Sequence, residues 1–296
     1  MAEFIVGMDV GGTNLRAGLV DRQGILADTR YLPVKEVLKT PDVTEDLARF
    51  LEELLAGRKG EAIVIGLPAP LDRHRKVVLQ APNLPYMDRL PLAELLQQRM
   101  GMTVLLERDV NLLLCYDMHK HNIPPEGITC GFYFGTGIGN AIFVDGKPFV
   151  GKNGAAGELG HIPADGSDEL CGCGNRGCME NLAGGKFLAQ LQKTAYPETP
   201  LSLLFTRHGA DAVLLRFVDR MAQTISTELN ILDPDYVLLG GGVLQMADFP
   251  RDYLEECIAA HTRKPYPAET LRLIYSGEEP AKGVLGAAQY YYSRMQ

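Results

Sequence analysis

Twice along this chain a short apolar run stops at a glycine-rich turn and continues at once as alternating strand sequence. The first copy is FIVGMDVGGTNLRAGLVD; the second, about 125 residues later, is CGFYFGTGIGNAIFVD. This repeat constrains the fold more than any other feature. A dinucleotide-binding fingerprint requires a helix directly after its glycines. Here Leu15, Ala17 and Leu19 alternate as a half-buried strand does, so the first turn is a hairpin, and the second has the same form. No GxxxxGK[ST] phosphate loop occurs either. Beyond each hairpin the chain alternates between buried strands and amphipathic helices, which predicts an α/β chain of two related halves.

In the first half a third strand comes after the turn at Asp21–Gly24. TPDVTEDLARFLEELLAG is a capped helix closed by Gly57, and AIVIGLPAP is a buried strand running into a proline-rich loop. LPLAELLQQRMG, MTVLLERD and VNLLLCYDMHKH then read as helix, strand and helix. The second half adds the helices GKFLAQLQKTAY and AVLLRFVDRMAQTISTELNIL, the strand DYVLLGGG, a helix around DYLEECIAAHT, the strand RLIYS and the terminal helix GVLGAAQYYYSRM. The expected division is residues 1–115 with 283–296 as a small domain and 116–282 as a larger one, with no long linker.

At 296 residues, 46% hydrophobic and 22% charged, the chain can bury substantial cores. Its net charge of −8 argues against nucleic acid or a membrane surface as partner. The start MAEFIVGMDV has no basic region, and no apolar run reaches membrane-spanning length. The expectation is a cytoplasmic protein, in which six cysteines are thiols or metal ligands rather than disulfides.

The glycines permit tight turns, and that alone accounts for either one. Two such turns at matching places would face each other across a cleft, and their outward amides can cradle phosphate oxygens. Gly11, Gly12, Thr13 and Asn14 form the first candidate, and the turn Gly135–Gly139, with Gly135, Thr136, Gly137 and Gly139, forms the second. Asp9, near the end of the first strand, is placed to hold Mg²⁺ through water. Gly240, Gly241 and Gly242 stand where a strand hands over to a helix, a place where a flat base can approach the backbone.

DVGGTNLR, GTGIG and LGGG in this order resemble the sugar-kinase, heat-shock and actin ATPase superfamily, which implies a two-domain ribonuclease H-like, actin-like ATPase fold. Within it, GELGH followed by CGCGNRGCME resembles the ROK family of sugar kinases and repressors. The resemblance runs along essentially the whole chain, and the cysteine segment, 157–181, is its most specific part.

In that segment His161, Cys171, Cys173 and Cys178 supply one imidazole and three thiolates, a closed set of the kind structural zinc prefers. No C-x-x-C occurs, so a thioredoxin-like redox site has little support. Four protein ligands leave no position for reactive water. The zinc would instead fix the loop carrying Glu158, His161 and Glu180, which individually could equally be solvated surface groups. The resemblance implies that both glutamates and the histidine bind the sugar. It also implies ATP with Mg²⁺ as phosphoryl donor, a hexose as acceptor and a homodimer.

Asp109, at a strand end opening into a helix, is equally an N-cap and a general base on its residues alone. The resemblance assigns it as the base, and Asn83 in APNLPY as a sugar-binding residue; Asn111 shapes the site. The departure is Arg108. ROK glucokinases mostly carry asparagine before the base, in contact with the sugar, whereas this chain has ERD. Arginine only donates, so Arg108 as a direct sugar contact implies another hydroxyl pattern, and ERDVN, APNLP, PAPL and DFPR resemble D-allose kinases. A ROK repressor would need an N-terminal helix-turn-helix, for which a first strand beginning at residue 4 leaves no room. A catalytically silent sugar-binding protein is disfavoured by intact Asp9, Asp109 and glycine turns.

Overall fold

The computed structural model describes residues 4–81, 84 and 86–295. In chain order, β1 (Phe4–Val10), β2 (Asn14–Asp21) and β3 (Leu26–Pro33) precede α1 (Val34–Val37), α2 (Val43–Leu55), β4 (Ala62–Leu67), α3 (Leu92–Met100), β5 (Thr103–Arg108) and α4 (Asp109–Lys120). Then come β6 (Ile128–Phe134), β7 (Ile138–Val144), β8 (Lys147–Pro148), α5 (Glu180–Ala183), α6 (Gly185–Ala195) and α7 (Leu204–His208). The chain ends with α8 (Ala212–Leu232), β9 (Tyr236–Gly240), α9 (Arg251–His261), β10 (Leu273–Tyr275) and α10 (Lys282–Ser293).

These elements form two compact units. One holds the chain up to residue 124, the segment 150–156 and the chain from 279 onward; the other holds 125–149 and 157–278. The observed boundary lies beyond residue 115 because α4 continues to Lys120 and packs against α10. The 150–156 segment belongs to the first unit although the chain on both sides of it builds the second.

Each unit contains one five-stranded sheet, ordered β3-β2-β1-β4-β5 in the first and β10-β9-β6-β7-β8 in the second. In the first, β1 runs antiparallel to β2 and parallel to β4, which is parallel to β5. In the second, β6 runs antiparallel to β7 and parallel to β9, which is parallel to β10. Numbered within its own unit, each sheet has the order third, second, first, fourth, fifth. The repeated hairpin sequence is therefore the opening of a repeated topology.

Binary patterning accounts for the layers. Helix α2 starts on Asp42, whose carboxylate accepts the Glu45 amide at 3.0 Å, and stops at left-handed Ala56. Its Leu47, Leu51 and Leu54 recur on one helical face and pack with Ile63 and Ile65 of β4. The opposite face of that sheet buries Val64 with Leu112 of α4 and Val284 and Ala288 of α10. In the second unit Phe217, Met221 and Ile225 of α8 close over Phe132 and Phe134. Each such side chain contributes about 1.5–3 kcal/mol by leaving water.

Helix α10 closes the first unit because its first turns lack bulk. A Cβ on Gly286 would overlap the Leu112 carbonyl, and one on Gly283 would stand 2.6 Å from the Asp9 carboxylate carbon. Gly286→Ala is therefore expected to lower unfolding stability by about 1–3 kcal/mol through overpacking, measured by urea denaturation; an unchanged midpoint would show that α10 is not seated on α4 as described.

Candidate active site

The parallel strands of the first sheet carry the site residues to their carboxyl ends, where ligands of open α/β sheets approach. Register places Asp9 beside Gly66 and Gly66 beside Glu107 in one row across β1, β4 and β5. Gly66 is bare because α4 comes close there: a Cβ on it would stand 2.8 Å from a Leu112 methyl and 3.4 Å from the Asp109 Cα. Asp9 also lies opposite Arg16 of β2, with their charged atoms 3.7 Å apart. Burial pushes the Asp9 carboxyl above the ordinary carboxylate range, and Arg16 pulls it partway back. Beyond β1 the turn is tight: the Gly11 amide donates to the Asn14 carbonyl at 2.8 Å, and the Thr13 carbonyl accepts the Val34 amide at 2.8 Å. Gly12 and Thr13 stand exposed at its tip, while Asn14 opens β2.

Asp109 is the first residue of α4, immediately after β5, and its Oδ1 accepts the Val110 amide at 2.8 Å. The half-buried carboxylate is anchored at the positive end of a helix, where negative charge is favoured. Arg108, expected to face a sugar, is buried, and one guanidinium nitrogen donates to the Ala156 carbonyl at 2.7 Å. Sequence reasoning passed over Glu107. Its Oε1 accepts the Arg108 amide at 2.8 Å and the Asn111 side-chain amide at 2.9 Å, and its Oε2 accepts the Tyr290 hydroxyl at 2.9 Å. Arg75 Nε completes this cluster as an ion pair 3.1 Å from Glu107 Oε1. Asn111 thus ties the first turn of α4 to the end of β5. Asn83 lies outside the described residues.

In the second unit the turn is shorter than expected. Phe134 pairs with Ile138, so the turn is Gly135, Thr136 and Gly137, while Gly139 pairs with Tyr133 inside β7. Thr136 is exposed at its tip. The Gly185 and Lys186 amides, at the start of α6, donate to the Gly135 and Thr136 carbonyls at 2.9 Å each. Glu180, the first residue of α5, lies under the turn: its Oε2 accepts the Ile138 amide at 2.9 Å, and a Cβ on Gly137 would overlap its carboxylate. Of the third glycine cluster, Gly240 ends β9 against the Tyr133 ring, Gly241 holds φ +96°, and Gly242 has open space where a side chain would be. The helix expected around DYLEECIAAHT is α9, and residues 241–250 between it and β9 form a chain of turns.

The cysteine segment does converge. Ligand atoms of His161, Cys171, Cys173 and Cys178 all lie within 4.8 Å of one another. Cys173 and Cys178 sulfurs are 3.7 Å apart, and His161 Nδ1 is 3.6 Å from the Cys171 sulfur. The loop closes on itself through the Cys171 amide to the Asn175 carbonyl at 2.8 Å and the Gly174 amide to the Cys171 carbonyl at 3.0 Å. Burial, then the neighbouring sulfurs, pushes the Cys178 thiol up to about 12, whereas the Asn175 amide holds Cys173 below the ordinary thiol value. One nitrogen and three sulfurs at these separations fit a tetrahedral metal. The other imidazole nitrogen, Nε2, lies 3.5 Å from Glu158 Oε2.

Glu107 and Arg75 were missed because an acidic residue and a polar loop, LDRHRKV, carry no local mark of burial. The adjacency of Glu107 to Arg108 and Asp109 was the one available signal. Asp9 also bears on stability. Its raised value means that the folded chain holds this proton more tightly than the unfolded chain does. The burial cost is thus present at neutral pH and is relieved as pH falls through the folded value. Asp9→Asn is expected to raise the thermal midpoint of the ligand-free protein by a few degrees at pH 7 and by less near pH 4; a drop at pH 7 would contradict this origin.

Known proteins are similar to this chain along most of its length. The ROK family model matches residues 5–293. A glucokinase of Streptomyces coelicolor is 32% identical over 271 residues, covering 83% of this chain and 84% of that protein. An N-acetyl-D-glucosamine kinase of Escherichia coli O127:H6 is 30% identical over 269 residues, covering 82% and 84%. The crystal structure of a ROK hexokinase from Thermus thermophilus superimposes with a TM-score of 0.77 at 29% identity, covering 99% of this chain and 100% of that one. The fold is that of the ROK sugar kinases, within the actin-like ATPase class, and this chain belongs to the ROK family.

Proposed function

We propose that the chain is an ATP-dependent hexokinase that transfers the γ-phosphate of MgATP to the 6-hydroxyl of a hexose. The observation that carries this reading is a pair of carboxylates at the carboxyl ends of parallel strands: Asp9 near the end of β1 and Asp109 directly after β5. Gly66 of β4 is next to both, beside Asp9 in register and placed so that a Cβ on it would stand 3.4 Å from the Asp109 Cα. Phosphoryl transfer to an alcohol needs one carboxylate for the cation and another to accept the proton of the attacking hydroxyl. Asp9 takes the first role and Asp109 the second. The tips Gly12–Thr13 and Gly135–Gly137 hold the phosphates with backbone amides and the Thr13 and Thr136 hydroxyls, and Gly240–Gly242 take the base. Glu158 and His161, with Asn83, bind the hexose. Glu180 either joins them or, through the Ile138 amide, keeps the second turn in shape. Zinc, when bound by His161 and the three cysteines, holds this loop without taking part in the reaction.

Glucose stands first among the acceptors, since glucokinases and N-acetylglucosamine kinases are among the similar proteins. Allose is the second reading. It rests on Arg108 in place of asparagine, and the donation of that guanidinium to Ala156 leaves it fewer donors for a sugar.

A coupled ADP-release assay with MgATP and glucose, allose, mannose, fructose and N-acetylglucosamine tests the class and the acceptor together. Turnover on a hexose is expected, with glucose ahead of allose; allose dominance would reverse the order, and no turnover on any of them would sink the reading. Asp109→Ala should lower kcat by about 10²–10⁴-fold while hexose binding, followed by calorimetry, persists. Metal analysis should find one zinc per chain, lost in Cys178→Ser together with hexose affinity. Full activity in a metal-free Cys178→Ser protein would remove zinc from the account.

A further inference from the structure

The segment Val150–Ala156 is seated on the first unit by two arginines, the buried Arg108 and the half-buried Arg75. Arg75 donates from Nη1 to the Gly154 carbonyl at 3.0 Å, and Arg108 donates from Nη1 to the Ala156 carbonyl at 2.7 Å. Both meet the same carboxylate: Glu107 Oε1 pairs with Arg75 Nε at 3.1 Å and accepts the Arg108 backbone amide at 2.8 Å. Arg75 is presented by a preformed turn, in which Asp72 accepts the His74, Lys76 and Val77 amides at 3.1, 2.6 and 2.7 Å. The seat is also a shape fit. Gly154 holds φ +81°, and a Cβ there would overlap the Leu71 carbonyl.

A guanidinium taken out of water is costly unless its donors fix something in place. Here two of them fix one short segment, and the chain that leaves it at Ala156 reaches Glu158 two residues later. We propose that Arg75 and Arg108 are positioning residues that clamp Val150–Ala156 and thereby set where Glu158 stands, so that Arg108 governs hexose affinity through this segment rather than by reading a hydroxyl. The proposal rests on the reading of Glu158 as a hexose ligand. It also accounts for an arginine being tolerated beside the base, since one of its guanidinium nitrogens is engaged by the Ala156 carbonyl.

The test uses Arg75→Met, Arg108→Met, the double variant and Arg108→Lys, each in the full-length protein. Steady-state kinetics on glucose and allose are paired with deuterium uptake of peptides covering residues 150–158. Both single variants are expected to raise hexose KM by roughly tenfold, by similar factors for the two sugars, with KM for ATP changed less than about twofold. Because the two arginines act on one segment, the double variant should fall well short of the product of the single effects. Uptake over 150–158 should rise in both singles, and Arg108→Lys should recover most of the hexose KM. Arg108→Met reordering glucose against allose while Arg75→Met does not would identify Arg108 as a direct reader and overturn the clamp. Unchanged uptake over 150–158 in either single variant would overturn it as well. If the wild-type protein phosphorylates no hexose, the kinase reading fails, and the uptake measurement still decides whether the clamp exists.

Discussion

Glu107 leaves only 1% of its surface to water, and its two oxygens are met by donors from widely separated parts of the chain. A carboxylate so placed is unfavourable unless it is paired and hydrogen-bonded, and the pairing dictates much of the first unit. Arg75 brings the loop after β4, Asn111 the first turn of α4, and Tyr290 the terminal helix. Burial, then the Glu107 charge, pushes the Tyr290 phenol up, which keeps it a donor, and Arg294 donates to its oxygen at 2.6 Å. The end of β5 is therefore complete only when the last helix has docked. That helix lies flat because Gly283 and Gly286 leave room for Asp9 and the Leu112 carbonyl. Removing one partner from such a cluster strands the others, so its members are coupled rather than additive.

The same sheet order serves two different turns. In the first unit the residues after β1 form a four-residue connection, Val10 pairing with Leu15, and the carboxylate that matters, Asp9, comes from the strand itself. In the second the connection has three residues, and the carboxylate nearest to it, Glu180, arrives from far along the chain and accepts the Ile138 amide. Gly137 is glycine because that carboxylate occupies the space a Cβ would need. The start of α6 braces the same turn through the Gly185 and Lys186 amides. One topology thus yields a turn with an acid at its base in one unit and a turn braced from behind in the other.

Local pattern made the strands, the longer helices and both hairpins legible, because alternation and helical periodicity are properties of adjacent residues. Gly139 was misplaced in the turn because GTGIG has no internal mark of where pairing resumes; the register of Phe134 with Ile138 settles it. Gly240–Gly242 stand between a strand and a helix as the pattern indicates, but the length of the handover is not legible: Gly241 holds a φ that only glycine adopts readily and leads into turns that run to α9. The cysteine cluster could be read from spacing, since its ligands are close in sequence. Glu107, Arg75 and Tyr290 could not, since what joins them is separation in sequence and burial of charge. Arg108 was noticed as unusual, yet its partner, a backbone carbonyl at Ala156, leaves no trace in composition.

On the proposed reading, a metal that performs no chemistry would still bear on a sugar through the imidazole of His161. Its Nδ1 faces the sulfur cluster at 3.6 Å from Cys171, and its Nε2 faces Glu158 at 3.5 Å. On the zinc reading Nδ1 gives its lone pair to the ion, so the neutral ring must carry its proton on Nε2. That nitrogen is then a fixed donor beside a fixed acceptor, the Glu158 carboxylate. Without the ion either nitrogen could hold the proton, and the ring could present a lone pair to the same position. A hydroxyl that needs a donor from the ring and an acceptor from Glu158 is satisfied by only one of these tautomers. The cluster of sulfurs would thus contribute to recognition by holding one proton on one nitrogen, an effect that depends on the ligand set and not on any open coordination position.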